Sequence, residues 1–362
     1  MTAPQSRQTL GVRLALSPRF HRICARIPGL KHIARAEGDA LFEVVSGFVR
    51  SQALLALVDL RLLHRLAEEP ADTATLAQFS DLGPDRMAIL LQAGAALKLL
   101  RRRSDIWHLS PRGAAFLTVP GLEAMVRHHP VLYRDLTDPV AFFRGQTQPE
   151  LAAFWPYVFG AGGATDPAVT AHYSALMSDS QGLVAADTLR LVDFRPFRHL
   201  MDVGGGTGAF LAIVAQACPA LKLTLFDLPA VVAGVPRDLV RRLTILPGSF
   251  RDDPLPTGAD AISLIRVLYD HSDSTVATLL RAVHDALPPG GTVVISEPMS
   301  GGLRPDPATD VYFSIYTLAM QTGRTRSATE IAAFLRQAGF DAPQSHPGFR
   351  PFVTSVVTAV RK

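Results

Sequence analysis

The sequence predicts an α/β protein in two parts, a helical N-terminal module followed by a doubly wound, largely parallel sheet. Three observations lead there. From residue 186 onward, short apolar runs alternate with amphipathic stretches, as βαβ units do. The first of these runs ends in "DVGGGTGAF" (202–210), a glycine-rich turn that opens a helix. Before residue 186 the apolar spacing is helical almost throughout.

The chain begins with a basic segment, residues 1–36. It carries seven cations (Arg7, Arg13, Arg19, Arg22, Arg26, Lys31, Arg35) and no acid. The whole chain has a net charge of +4, so the remainder carries 4 − 7 = −3. Phe20, Ile23, Cys24 and Ile27 fall at helical spacing between arginines. A short basic amphipathic helix follows, broken near Pro18 and Pro28. It suits packing on a protein domain or peripheral contact with an anionic membrane. There is no run of 18 apolar residues, so no membrane-spanning helix is expected, and no signal-peptide core is present. Two cysteines, Cys24 and Cys218, argue against a disulfide framework or a cysteine zinc site. No metal is expected, and a reducing, cytoplasmic location is. At 48% hydrophobic and 19% charged, the chain is no disordered polymer.

Residues 37–120 form the predicted helical module. Helical spacing runs through 37–67, and "TATLAQFS" (73–80) is a short helix that Thr73 can cap. "PDRMAILLQAGAALKLL" (84–100) is a nearly apolar third helix, and "RRRSDIWHLSPRGAAFL" (101–117) is a small hairpin and turn. Helices followed by a two-stranded wing resemble a winged helix. Such modules often bind DNA, and Arg101, Arg102 and Arg103 encourage that reading. The third helix opposes it, because reading base edges needs polar side chains. A helix this apolar is expected to be buried, against a second subunit; no nucleic-acid partner is expected. Residues 121–185 form a helical linker rich in aromatics. There "FWPYVFGAGG", with Trp155, Tyr157 and Phe159, serves either as core or as the wall of a pocket for a long apolar ligand.

Residues 186–362 supply the sheet. Its strands are "HLMDV", "LKLTLFDL", "LTILPG", "DAISLIRVLY", "TVVISEP" and the closing "FVTSVVTAVRK". Asp227 ends the second strand. A carboxylate there can accept hydrogen bonds from both hydroxyls of a ribose, while the glycine turn offers free N–H groups. Gly204, Gly206, Ala209 and Asp227 also satisfy a dinucleotide fingerprint, so a nicotinamide oxidoreductase is a rival on this motif alone. The turn's place past mid-chain, with one sheet's worth of sequence after it, weighs against that rival.

In order, "DVGGGTG", "FDLPAVV", the Gly248–Phe250 turn and "DAISLIRVLYDHSD" resemble the plant-type small-molecule O-methyltransferase family. "LPPGG" is similar to a turn found widely in methyltransferases, and the N-terminal module resembles the family's dimerisation domain. Within the family, "VRHHPVLYRDLTDP", "SEPMSGGLRPD" and "DVYFSIYTLAMQTGRTRS" are similar to the acyclic-carotenoid O-methyltransferases of phototrophic bacteria. The resemblance covers about residues 37–362. It implies a homodimer that uses S-adenosylmethionine to methylate a tertiary hydroxyl of a hydroxycarotenoid, in carotenoid biosynthesis at or near the photosynthetic membrane.

The resemblance also implies roles. Asp202 holds the methionine end of the cofactor, and Gly204 and Gly206 form the turn. Asp227 and Leu228 take the ribose, Ser249 and Phe250 the adenine. Arg266 stands near a family lysine that contacts the cofactor. The family's general-base histidine sits in a His-Asp-Trp-Ser-Asp motif. Here Asp270, Ser272 and Asp273 match, Tyr269 fills the histidine slot and His271 the tryptophan slot. Glu297 matches a base-orienting glutamate, and a second such glutamate falls near Thr325 and is lost. The catalytic candidates are therefore Tyr269 as a hydrogen-bonding anchor, His271 as a displaced base and Glu297 as its orienter. A different hydrophobic pigment or phenolic acceptor, or a non-enzymatic regulator that binds S-adenosylmethionine, stay open as alternatives.

Overall fold

The structure, a computed structural model, describes residues 9–24, 26–154 and 180–362. The chain divides into two compact units, Met1–Ala115 and Phe116–Lys362.

In the first unit, α1 (Leu10–Ala15) and α2 (Pro18–Cys24) precede the long α3 (Pro28–Asp59). Pro18 and Pro28 each open a helix, where a missing N–H costs nothing. The boundary expected at 36/37 falls inside α3: charge changes there, but the backbone does not. By length and composition alone α3 reaches the threshold for a membrane-crossing helix, as core and interface helices also do. One 18-residue window has a mean hydropathy of 1.5 despite glycine and serine interruptions, and little of it is buried. α4 (Leu62–Glu68), β1 (Ala71–Asp72), α5 (Thr73–Phe79), α6 (Pro84–Ala96), β2 (Leu100–Arg103), β3 (Ile106–Leu109) and α7 (Pro111–Thr118) follow. The wing has three strands, in the order β1-β3-β2. Asp72, not Thr73, caps α5, accepting from the Thr75 amide at 2.7 Å. The Thr73 hydroxyl instead accepts from the Trp107 indole at 3.0 Å. α6 ends early because Lys98 takes a positive φ and turns the chain into β2. Its Met87 and Leu91 are fully buried within this unit, while Ile89 stays exposed.

The second unit opens with α8 (Leu122–Asp135), α9 (Pro139–Phe143) and α10 (Glu150–Phe154). The aromatic cluster predicted at 155–159 lies outside the described residues. α11 (180–191) leads into β4 (His199–Val203). Then come α12 (Ala209–Ala217), β5 (Lys222–Asp227), α13 (Pro229–Val232), α14 (Arg237–Val240), β6 (Thr244–Pro247) and β7 (Ala261–Ile265). α15 (Asp273–Ala286), β8 (Thr292–Glu297), α16 (Ser314–Ala319), α17 (Ala328–Gln337), β9 (Phe340–His346) and β10 (Ser355–Arg361) complete it.

The sheet runs β6-β5-β4-β7-β8-β10-β9. The first five are parallel, and β10 pairs antiparallel with both β8 and β9. Successive residues alternate between two cores. Ile262, Leu264, Val293 and Ile295 pack with the buried faces of α15 and α17; Ala261, Ile265 and Val294 pack with α12. Burial on both faces is why these strands are continuously apolar. β9 was missed in the sequence because it is an exposed edge strand containing Pro343. Strand order reverses between β4 and β7, so a crevice opens at the carboxyl ends of those strands.

Candidate functional site

The turn after β4 shapes the crevice. Gly204 has φ +69°, which L side chains rarely adopt. At Gly205 a Cβ would fall 2.4 Å from Asp202 Oδ2 and 2.6 Å from Leu225 Cδ1. The glycines therefore let the turn fold tightly over the Asp202 carboxylate. Across the crevice, Arg266 ends β7 with φ +59°, an unusual conformation for a non-glycine residue. Its guanidinium donates to Ser180 Oγ at 2.7 Å.

Of the residues singled out from sequence, Gly204, Gly206, Asp227, Leu228, Ser249, Phe250, Arg266 and His271 line one cleft. Val231, Gly248, Arg251, Val267 and Asp270 also line it; Gly248 and Asp270 figure in the sequence only as parts of motifs, and Val231, Arg251 and Val267 have no role assigned there. Asp202, Tyr269 and Glu297 are buried and are not among its lining residues.

Asp227 accepts from the Gly206 and Leu228 amides, each at 2.7 Å. Burial raises its pKa to about 6, against those two hydrogen bonds. Each carboxylate oxygen keeps a second lone pair for a ligand hydroxyl. Asp202 is fully buried, and burial raises its pKa to about 7, with the Asp227 charge adding to the effect. Oδ1 accepts from Ser263 Oγ at 2.6 Å, and Oδ2 has no partner among the described residues. Asp202 thus lies beneath the glycine turn and is not among the residues that line the cleft. Ser249 donates from its hydroxyl to Asp252, and its amide donates to Asp253, each at 2.8 Å. These bonds set Phe250 against the cleft.

His271 differs most from expectation. Its ring lies edge-to-face with Phe250, 5.3 Å between centroids, and is 3% exposed. Nδ1 accepts from Arg251 at 3.0 Å. Burial first, then the Arg251 and Arg326 charges, push its pKa down to about 3. A ring so placed is a poor proton acceptor, which corrects the reading of His271 as a displaced base.

Glu297 does not orient a base either. Its Oε2 accepts from the backbone amides of Leu268 and Tyr269 at 2.9 and 3.2 Å, fixing the 3₁₀ turn Leu268–Asp270. Burial raises its pKa to about 7, opposed by Arg326. The position of the lost second glutamate holds a hydroxyl pair, Ser314 with Thr325 at 2.5 Å. Tyr269 is buried, its ring 6.5 Å from that of Phe313. Burial raises its phenol pKa, with Asp270 adding to the effect, so it is a neutral hydrogen-bonding group. Arg326 is the residue that sequence reasoning missed. Fully buried, it donates to the Leu268 and His271 carbonyls, each at 2.8 Å, and to Asp273 Oδ1 at 2.6 Å. It clamps the loop carrying Tyr269 and His271 from a position 53 residues away in sequence from Asp273.

Residues 133–341 match the model of the O-methyltransferase domain, and residues 42–119 that of the O-methyltransferase dimerisation domain. The chain belongs to the O-methyltransferase family. Within that family it is 62% identical to demethylspheroidene O-methyltransferase of Cereibacter sphaeroides, over 97% of this chain and 94% of the relative. The same enzyme of Rhodobacter capsulatus is 58% identical, over 96% and 88%. Among solved structures, human N-acetylserotonin methyltransferase in complex with SAM superposes with a TM-score of 0.73 at 25% identity, covering 90% of this chain and 97% of that one.

Proposed function

We propose that this chain is a homodimeric, S-adenosylmethionine-dependent O-methyltransferase that methylates the tertiary hydroxyl of an acyclic hydroxycarotenoid. The observation that carries the reading is the cleft at the β4/β7 switch point. A glycine turn, a ribose-facing carboxylate and an aromatic edge meet there, in a chain 62% identical to a demethylspheroidene O-methyltransferase. In this reading Asp227, beside Leu228, binds the ribose hydroxyls. Phe250, with His271 behind it, flanks the adenine. Gly204, Gly206 and Arg266 border the rest of the cofactor, and Asp202 holds the turn. When bound, S-adenosylmethionine supplies a methyl group already activated on a sulfonium. The protein then has to place the acceptor oxygen in line and keep water out; such placement is worth about 7–11 kcal/mol. Tyr269, neutral and buried, anchors that oxygen by a hydrogen bond.

The dimer reading is supported by the dimerisation-domain match and by α3, whose Leu41, Phe42, Val44, Val45 and Phe48 are exposed in the single chain. A second copy would cover that face. The basic segment of α1 and α2, with the turn between them, carries exposed Leu10, Leu16 and Ile23 among arginines, which suits peripheral contact with an anionic membrane that holds the carotenoid.

The test is methyl transfer by the purified protein from labelled S-adenosylmethionine to a hydroxycarotenoid in micelles, with mass spectrometry of the product. Tight NAD binding without S-adenosylhomocysteine binding would overturn the reading. Sedimentation giving only a monomer of about 39 kDa at micromolar concentration would overturn the dimer. Equal pelleting with neutral and anionic vesicles would overturn the membrane contact.

A further inference from the structure

Position 269 lacks a base, His271 is held neutral by burial and then by Arg251, and Glu297 gives its Oε2 to backbone amides while its Oε1 faces no partner among the described residues. The proton of the acceptor hydroxyl therefore needs another destination. Two segments distant in sequence meet, and one of them reaches Tyr269. The first is the π-helical turn Pro307–Phe313, which delivers Tyr312 and Phe313. Such wide turns are frequent at functional sites. Phe313 packs edge-on against both tyrosines, 5.1 Å from Tyr312 and 6.5 Å from Tyr269 between ring centroids. The second segment is α8, whose His129 Nε2 lies 3.0 Å from Tyr312 Oη. Tyr133, one turn further along α8, stacks edge-on to His129 at 5.9 Å, and its buried hydroxyl has no partner among the described residues.

We infer that Tyr312 and His129 form a phenol–imidazole relay that receives the acceptor's proton in place of an imidazole at position 269. The inference rests on the O-methyltransferase reading and deepens it. Tyr312 touches the acceptor oxygen and is the catalytic residue; His129 acts through it and is a positioning residue.

The electrostatics support the direction of transfer. Burial raises the Tyr312 pKa, and the neighbouring Tyr133 and Tyr269 phenols raise it further. Tyr312 is therefore protonated; the relay uses the tautomer in which its hydroxyl donates to His129 Nε2 and Nδ1 carries the ring proton. Burial lowers the His129 pKa, and no charged neighbour contributes, so the ring is neutral near pH 7 and able to accept. The groups facing it are Tyr133 on its own helix and Tyr312 on the opposing turn. In the step, the acceptor oxygen bonds to the methyl carbon as the carbon–sulfur bond breaks and its electron pair goes to sulfur. The acceptor proton moves to Tyr312 Oη as the Tyr312 proton moves to His129 Nε2. The imidazolium then releases one proton to water. One proton is released per methyl ether formed, and the thioether leaves neutral at sulfur.

A second pair of the same chemistry, His128 Nε2 with Tyr316 Oη at 2.8 Å, serves as the internal control. Tyr316 is buried in the apolar cluster of Leu132, Phe142 and Leu151, against which Tyr312 also packs, but Tyr316 has no ring contact with Phe313 among the described residues.

The experiment compares full-length wild type, His129→Ala, Tyr312→Phe and His128→Ala on a hydroxycarotenoid in micelles. S-adenosylhomocysteine affinity is measured for each. His129→Ala and Tyr312→Phe are expected to lower kcat by about 10²-fold or more, the scale of general acid–base catalysis. KM and S-adenosylhomocysteine affinity stay within about threefold of wild type on the same reasoning, and so does the kcat of His128→Ala. Wild-type kcat falls in acid, below the ordinary imidazole range, as the buried His129 protonates, and that limb is absent in His129→Ala. Asp202, Asp227 and Glu297 also titrate in acid, so the limb is assigned by its loss in this variant. Added imidazole restores turnover to His129→Ala and none to Tyr312→Phe. Retention of more than about a third of wild-type kcat by His129→Ala, far above the loss general base catalysis implies, or an unchanged acid limb, overturns the relay. Wild-type turnover in the same run carries the O-methyltransferase reading separately, so active variants beside an active wild type sink the relay alone.

Discussion

Replacing His271 by asparagine should make the protein less sensitive to acid. The ring is 3% exposed, accepts a hydrogen bond from Arg251 at 3.0 Å, and has its pKa pushed down to about 3. In the unfolded chain its pKa is about 6.5. The folded value lies below the unfolded one, so the ring's contribution is complete above about pH 6.5 and is lost as pH falls toward 3. At pH 5 the unfolded ring is protonated about thirty to one, while the folded ring is neutral. The loss is RT ln 32, about 2 kcal/mol. Its size is set by the unfolded pKa, because the folded ring stays neutral at pH 5. Asp202, Asp227 and Glu297, whose pKa values are raised, gain stability over the same interval, but both proteins share them and they cancel. Urea unfolding of wild type and His271→Asn without cofactor, at pH 7.5 and pH 5.0, measures the effect. The stability gap between the two should shift by about 2 kcal/mol in favour of the variant on acidification. A gap that stays constant within about 0.5 kcal/mol would refute the claim that the fold holds this ring neutral. The same variant should keep turnover within about tenfold, below the 10²–10⁴-fold loss a general base would show.

Asp227→Ala should weaken S-adenosylhomocysteine binding by about 1.5–3 kcal/mol in calorimetry at pH 7.5. Because the wild-type carboxylate has a pKa of about 6, affinity should fall below that pH in wild type and stay flat in the variant. Arg326→Met strips the donors from the Leu268 and His271 carbonyls, at about 1–3 kcal/mol each. Urea unfolding should show a loss of about 2–5 kcal/mol, and a loss under about 1 kcal/mol would contradict the clamp. Gly205→Ala drives a Cβ into Asp202 Oδ2 and Leu225, so it should cost about 1–3 kcal/mol and weaken the cofactor site; unchanged stability and affinity would contradict the packing.

The sheet was legible because its strands are buried on both faces and its turns carry glycine and proline. Where a strand is exposed the signal fades: β9, with a single buried residue and a proline, was not foreseen. The N-terminal boundary at 36/37 marks a change of charge and not of backbone. Charge composition changes at residue 37, but helical hydrogen bonding does not depend on charge, and α3 continues through it. The Asp72 cap of α5 was misassigned by one residue, because both Asp72 and Thr73 are good capping residues and only the Trp107 indole chooses between them.

By itself the sequence determined the strand–turn–helix that carries the cleft, the acid at the end of β5, and the absence of a histidine at position 269. These are local features, fixed by backbone conformation and by residue type over a few positions. Only the tertiary structure decided what the neighbours of position 269 do. It turned His271 toward Arg251 and Phe250, gave the Glu297 carboxylate to backbone amides, buried Arg326 beneath the loop, and brought His129 within 3.0 Å of Tyr312 across 183 residues. Whether an imidazole accepts a proton depends on burial and on the charges around it. Those surroundings come from segments far apart in the chain, and only packing brings them together.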